Sequence, residues 1–390
     1  MSITGSYIVL DNWDVSGKCW TAPASFGSNI EIKLSGTNIA VTNSYFHGWT
    51  EAYHPGSDMD QAPILGATGT MSANGNIADY DVFDGSDSTC TGVFACTGGP
   101  ITYNELQYFT HSVCRYMANC LNPDAPTLVH DDLFENVFES YDPSNHGGII
   151  EATGSIPNAT QTWYNLMVRN TDMGIVFNPN LNGPFRFFNV VMFNNANGSN
   201  CLALANASGS GSNPVYISNV TFDNTNQYDS TTCIINLARG GAPAAYQGTI
   251  TIQNGHWIGY GGSGCIPSNL IGSASGVNIV DAGNEVCQSE SVANGQGYTR
   301  SNYYQPASAN GATYHSGGDL SSSCATYSSD SGLCNGTTGG VTDSAKDGNT
   351  AALYIPSPPS RGTSWDAGAY QFGASDNAPS PPTGLAAVVQ

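Results

Sequence analysis

Phe188-Asn189-Val190-Val191-Met192-Phe193-Asn194 and Ser218-Asn219-Val220-Thr221-Phe222-Asp223-Asn224 are two versions of one pattern, 30 residues apart (219 − 189). In each, Asn opens a short β-branched and aromatic run, and a second Asn or Asp follows five positions on. The core of the pattern is an apolar residue, any residue, then Asn or Asp. It recurs at Val41-Thr-Asn43, Ile77-Ala-Asp79, Thr102-Tyr-Asn104, Val129-His-Asp131, Trp163-Tyr-Asn165, Phe187-Phe-Asn189, Ile217-Ser-Asn219, Ile252-Gln-Asn254 and Ile279-Val-Asp281. Separations run from 24 (189 − 165) to 36 (79 − 43), so a bare repeat of about two dozen residues carries variable insertions. Asn tolerates the left-handed backbone of a tight corner. Stacked Asn amides can also hydrogen-bond along a column. Short runs of this composition fit strands of three to five residues.

These features predict an all-β chain: a right-handed parallel β-helix, a solenoid of about nine coils roughly 43 Å long at the strand-to-strand spacing. A β-sandwich with irregular strands is the competing architecture. Helical arrays are excluded, because 46 Gly and 20 Pro break every window before a helical period forms. Residues 1–40, with Trp13, Cys19 and Trp20, read as an N-terminal cap over the open end of a β-helix spanning 41–297. Residues 298–373 read as a C-terminal cap or strap. Residues 374–390 read as a Pro-rich linker toward a further module.

Composition narrows function. With 9 Lys and Arg against 30 Asp and Glu, the formal net charge is −21. That leaves too few cations for a phosphate-reading surface, so no nucleic-acid partner is expected. No apolar run approaches a membrane span, so no membrane insertion is expected either. Eleven Cys in an acidic, Gly- and Asn-rich chain point to disulfides and a secreted protein, its signal peptide removed and replaced by an initiator Met. Cys90 with Cys96, Cys114 with Cys120, and Cys324 with Cys334 are candidate close pairs. Cys201, Cys233 and Cys265 sit after successive corners, one pair of them close enough to bond, with Cys287 a partner for the third. Cys19 is the candidate free thiol. No spacing matches structural zinc, and no Walker loop, dinucleotide fingerprint or Ser-elbow follows a strand.

The Asn-Val-x-Phe-x-Asn coils resemble the pectate-lyase-like superfamily of right-handed β-helix proteins. The ending Trp365-Asp-Ala-Gly-Ala-Tyr370-Gln-Phe372 with its following Pro-Pro-Thr-Gly-Leu is similar to that of secreted bacterial β-helix proteins. The resemblance covers roughly 40–372 and implies the fold. It implies no single activity, since such proteins include lyases, hydrolases, esterases, epimerases and adhesins. No lyase base motif and no polygalacturonase paired-Asp motif is present.

Acidic residues concentrate at 130–151: Asp131, Asp132, Glu135, Glu139, Asp142 and Glu151, with His130, Tyr141 and His146. Glycoside hydrolysis needs two carboxyls about 5–9.5 Å apart, one protonated and one ionised. Adjacent coils supply such distances, and Glu105 is expected on the coil next to Asp132. The candidate acid, base and nucleophile are Asp131, Asp132, Glu135 and Glu105, with His130 or His146 orienting a carboxyl. Tyr103, His130, Tyr164 and Phe188 precede successive corners and, facing outward, form a platform for sugar rings. Tyr108, Glu135 and Arg169 are expected to share a column, with Asp142 and Arg169 near substrate. Each acid can equally be a ladder residue or a solvated one, and a one-residue slip would turn every side chain over. His47, His54, Asp58 and Asp60 match no metal signature and read as a surface loop.

The leading expectation is therefore a secreted, monomeric polysaccharide hydrolase acting on a neutral glycan, since −21 repels polyuronates. It requires no cofactor, although loop Asp and Asn provide oxygen ligands suited to Ca²⁺. The alternatives are a Ca²⁺-dependent lyase using Arg115 or Arg169, and a non-catalytic glycan-binding, adhesion or filament module.

Overall fold

The computed structural model describes residues 1–15, 19–20, 32–47, 50–52, 65–66, 74–86, 89–91, 106–117, 120–121, 128–137, 148–152, 160–171, 173–177, 183–193, 202–204, 213–223, 235–236, 248–259, 278–323, 361 and 364–372. Strands dominate them. A 17-stranded sheet is joined by two three-stranded sheets and one four-stranded sheet, and the pairings within the large sheet are parallel.

The large sheet is built from ten layers, each a strand, a corner and a second strand. The first layer is Val9–Asp11, Asn12 and Asp14–Val15, so layering begins within the first 40 residues. The fifth, sixth and seventh layers are continuous through the corner, as Leu128–Val137, Gln161–Thr171 and Phe185–Phe193. The tenth is Asn278–Asp281 and Val286–Gln288. Corner-to-corner separation varies from 20 (131 − 111) to 37 (80 − 43) residues, yet the strands stay in register throughout. Insertions between layers thus leave the stack unchanged.

Alternation makes the core. In the first nine layers the middle residue of the first strand points inward: Leu10, Val41, Ala78, Phe109, Val129, Trp163, Phe187, Ile217 and Ile252 are all buried. The second strands contribute Phe46, Phe83, Cys114, Phe134, Val168, Met192, Phe222 and Trp257. Ile32 and Leu34 of one smaller sheet and Ile150, Ile175 and Leu202 of the four-stranded sheet belong to the same hydrophobic cluster. One core therefore serves several sheets, as expected of parallel strands covered on the apolar face.

The corners explain the register. Every one carries a residue at positive φ, between +48° and +64° for the non-glycines. Six of the first nine are Asn: Asn12, Asn43, Asn165, Asn189, Asn219 and Asn254. Amides link neighbouring layers, with Asn254 Nδ2 donating to Asn219 Oδ1 at 3.0 Å and Asn165 Nδ2 to Asp131 Oδ1 at 3.0 Å. Three corners lie elsewhere than the sequence pattern placed them. Tyr80, not Asp79, turns the third layer, and His111, not Asn104, turns the fourth. Gly283 and Asn284 together turn the tenth in place of Asp281.

The C-terminal residues cover the outer face of the second strands. Val82, Val113, Leu133, Met167, Val191 and Ile258 point away from the core and form a second cluster with Ala293, Tyr298, Tyr304, Ala369 and Tyr370. Ala369 N–H donates to Thr221 Oγ1 at 3.0 Å. Gly368, at φ +90°, lies so close that a Cβ there would sit 2.8 Å from Thr221 Oγ1. Arg361 threads between this segment and the corner column, donating to Asn189 Oδ1 and to the carbonyls of Asp366, Gly368 and Ala369. Cys114 and Cys120 form a disulfide, and Cys287 is disulfide-bonded as well. The expected pairs Cys90–Cys96 and Cys324–Cys334, the Cys201, Cys233 and Cys265 stack and the thiol of Cys19 lie outside the described side chains.

Asn254 joins the corner to both its neighbour and the C-terminal segment, exchanging hydrogen bonds with Gly318 N–H at 2.8 Å and Gly318 C=O at 2.9 Å. Asn254→Ala removes these bonds and forces Ala into the left-handed region, for an expected loss of about 2–4 kcal/mol in urea unfolding. Asn254→Gly keeps the backbone conformation accessible and should lose about half as much. Equal losses for the two variants would contradict the corner argument.

Candidate functional site

Where the corner column departs from Asn, it does so on three consecutive layers: Tyr80, His111 and Asp131. Left-handed backbone costs a bulky residue roughly 1–2 kcal/mol that Asn and Gly largely avoid. Within the corner column, strain of this kind falls on these consecutive layers, which marks a candidate site. Asp79 and His130, one position before two of these corners, complete it.

The side chains form one hydrogen-bonded cluster. His111 Nδ1 lies 2.8 Å from Asp79 Oδ1, which also accepts from Thr110 Oγ1 at 2.7 Å. His130 Nδ1 lies 2.6 Å from Asp131 Oδ2, and His111 Nε2 approaches the same oxygen at 3.6 Å. Asn165 holds the other Asp131 oxygen. Both imidazoles are clamped by stacking, His111 on Tyr80 at 4.5 Å and His130 on Tyr164 at 4.7 Å between ring centroids. Asp131 is fully buried, while the side chains of His111 and Asp79 are 17% and 27% exposed. The cluster thus opens to solvent on one side. Burial, then the carboxylates of Asp79 and Asp131, push the Tyr80 hydroxyl pKa upward.

The other expected acids are engaged elsewhere. Asp132 belongs to an interior ladder one position past the corner. Along it each side chain accepts a backbone N–H from the preceding layer: Trp13 N to Ser44 Oγ, Ser44 N to Asp81 Oδ1, Asp81 N to Ser112 Oγ, and Ser112 N to Asp132 Oδ1 at 2.7 Å. At Leu166, Val190 and Val220 the same column turns apolar and joins the core. Asp132 ends the polar run, fully buried, its Oδ2 without a hydrogen-bond partner among the described residues. Burial drives its pKa well above the ordinary carboxyl value, and Asp131 and Asp79 add to the shift against the opposing Ser112 bond.

Glu135 sits in an alternating ion ladder on the outer face of the second strands. Arg115 Nη2 lies 2.7 Å from Asp84 and its Nη1 3.9 Å from Glu135, while Arg169 Nη2 lies 2.6 Å from Glu135. Arg169 then packs over the Tyr303 ring at 5.4 Å. Tyr108 is not in this column. It is a first-strand residue aligned with Ile77 and Leu128, and Arg115 occupies the place expected for it. The corner shift from Asn104 to His111 is the reason. Both arginines considered for a substrate carboxylate are held by Asp84 and Glu135.

His130, Tyr164 and Phe188 do align, but all three are buried and do not present an open platform. Tyr164 and Phe188 form a small cluster with the part-exposed Leu128 and Tyr216. His47 pairs with Asp14 at 2.9 Å. Glu105, Tyr103, His146 and Asp142 lie outside the described residues, as do His54, Asp58 and Asp60. Sequence reasoning missed Tyr80 and His111 as site residues. The signal was available in the triplets Val82-Phe83-Asp84, Val113-Cys114-Arg115 and Leu133-Phe134-Glu135, which align without a gap.

Compared with known protein families, curated proteins and solved structures, the chain matches none.

Two outcomes follow from these placements. The folded chain holds the Asp132 proton more tightly than the unfolded chain. Its stabilising contribution is therefore complete below the ordinary value of 3.8 and is lost progressively as pH rises above it. Asp132→Asn keeps the acceptor for Ser112 and should flatten the stability profile above pH 4, matching or exceeding the parent at neutral pH. Parallel profiles for parent and variant would refute the neutral-acid assignment. Glu135→Gln uncouples Arg115 and Arg169 from their shared carboxylate and should lower stability by roughly 3 kcal/mol in chemical denaturation. A change below a few tenths would mean the ladder is slack.

Proposed function

We propose that the chain winds as a right-handed parallel β-helix of the pectate-lyase-like kind, is secreted, and binds a neutral glycan beside the His111 cluster. Layers that return in register every few dozen residues support the winding. Parallel crossovers are right-handed in about 98% of cases. The disulfides support an oxidising compartment.

The observation that carries the glycan reading is the outer face of the first strands. Tyr80 is exposed at its corner, and Tyr108, Leu128, Arg186 and Tyr216 are part-exposed along neighbouring layers. Their register places Tyr108, Leu128, Arg186 and Tyr216 in a single row. Two tyrosines and a leucine in one row with Thr162 and Arg186 suit the two-faced chemistry of a sugar ring. The strongly acidic chain favours a neutral sugar over a polyuronate.

Hydrolysis is the second reading, and one observation favours it: Asp79 and Asp131 flank His111, two carboxylates around one titratable group. The acid–base set would then be Asp79 and Asp131, with Asp132 and Glu135 structural.

A panel of neutral oligosaccharides tests both readings by calorimetry and product release. Tyr80→Ala and Tyr108→Ala should each weaken binding about tenfold, with no product from the parent. Product that disappears in Asp79→Asn and persists in Glu135→Gln would move the conclusion to hydrolysis. Absence of binding to every glycan in the panel would overturn the proposal.

A further inference from the structure

We infer that His111, His130 and Asp131 form a binding site for a divalent first-row transition metal. One ligand atom from each of the three lies within 4.8 Å of the other two, and Asp131 Oδ2 stands 3.6 Å from His111 Nε2 and 2.6 Å from His130 Nδ1. Metal–nitrogen and metal–oxygen bonds of about 2.0–2.2 Å at a tetrahedral centre separate ligand atoms by about 3.3–3.5 Å. The 3.6 Å between His111 Nε2 and Asp131 Oδ2 is already at that spacing. His130 Nδ1 and Asp131 Oδ2, now 2.6 Å apart, need only move from hydrogen-bond to co-ligand distance. A neutral His130 ligates through Nδ1 with its proton on Nε2, so metal binding takes no net proton from such a ring.

The surroundings are those of a metal site and are hard to explain by packing alone. A ligating His commonly donates its other ring N–H to a carboxylate, which fixes the tautomer and the ring plane. Asp79 stands 2.8 Å from His111 Nδ1, turning Nε2 toward Asp131. Asn165 Nδ2 holds Asp131 Oδ1 and turns Oδ2 toward both imidazoles. Tyr80 and Tyr164 stack on the two rings and restrict their rotation. Two carboxylates in one half-buried cluster also suit a dication.

Donor chemistry selects the metal class. Two imidazoles and one carboxylate suit Zn²⁺, Co²⁺, Ni²⁺ or Fe²⁺. Ca²⁺ takes six to eight oxygen ligands and is poorly served by this set. Three protein ligands leave a coordination position for water or a small ligand on the exposed side. The inference does not depend on the glycan reading, and its test uses no sugar.

The test takes the full chain, stripped with a chelator, and titrates it with Zn²⁺ by calorimetry and with Co²⁺ by visible absorption. One equivalent should bind with a dissociation constant of about 10 μM or below. His111→Asn and Asp131→Asn should each weaken it at least about 100-fold, and Asp79→Asn about 10- to 100-fold. Asn is the residue found at the other corners, so the first two variants should fold, checked by circular dichroism. His111→Asn should also raise the unfolding midpoint, because it relieves left-handed strain. A purely structural histidine would not give that pairing of lost binding and gained stability. No stoichiometric Zn²⁺ or Co²⁺ binding at millimolar metal, or binding undiminished in both corner variants, would overturn the inference. Ca²⁺ binding as tight as Zn²⁺ and lost in the same variants would overturn the assignment of metal class.

Discussion

Every layer of this chain must pass through a left-handed corner, and that requirement governs the rest of the structure. A corner at positive φ sets where the first strand ends and the second begins. Side-chain direction has a period of two along a strand, so a displaced corner would exchange the core face for the outer face on both sides. Fixing the corner therefore fixes three columns together: the inward apolar residues, the interior polar ladder one position past the corner, and the outer ion ladder three further on. Segments between layers do not share the constraint, and their lengths vary by 17 residues (37 − 20) without disturbing the pairing.

The same constraint separates scaffold from site. In the sixth to ninth layers the corners are all Asn, the interior column is apolar in three of the four, and the C-terminal segment seals the outer face. In the third to fifth layers the corners are Tyr80, His111 and Asp131, the interior column is Asp81, Ser112 and Asp132, and the polar groups form a connected network. Within the corner column, local propensity and global fold disagree there. A stack that can place Asn at any corner has no stability reason to place Tyr and His at two neighbouring ones. Disagreements between local preference and fold are expected at sites retained for another purpose.

Much of this was legible in the sequence. The Asn corners at 43, 165, 189, 219 and 254 were readable because Asn combines tolerance of positive φ with an amide that bridges layers. Parallel, all-β stacking followed from them, and the Cys114–Cys120 pair was readable from its close spacing in sequence. Tyr80 and His111 were not readable as corners, because aromatic residues more often signal strand faces. The pattern accordingly slid to Asp79 and Asn104. That slip moved Tyr108 into the wrong column and hid the link between His111 and Asp131. The acidic concentration after residue 130 was legible, but composition says nothing about direction. Asp131, Asp132 and Glu135 lie within five residues and point into three different environments: a half-buried histidine–carboxylate cluster, the interior and an ion ladder.

The distribution of cations completes the argument. Only nine Lys and Arg occur in 390 residues. Four of them, Arg115, Arg169, Arg300 and Arg361, are held against carboxylates or carbonyls at the outer face of the second strands or the corner column. These four arginines thus act as bridges between layers and between the stack and its C-terminal cover. The remaining surface is correspondingly poor in positive charge, and its potential is set by the 21 acidic groups in excess (30 − 9). Such a field concentrates small cations and repels anions before any contact forms. A site built of two carboxylates and two imidazoles, opening onto that surface, is matched to a cation or an uncharged ligand and mismatched to an acidic one.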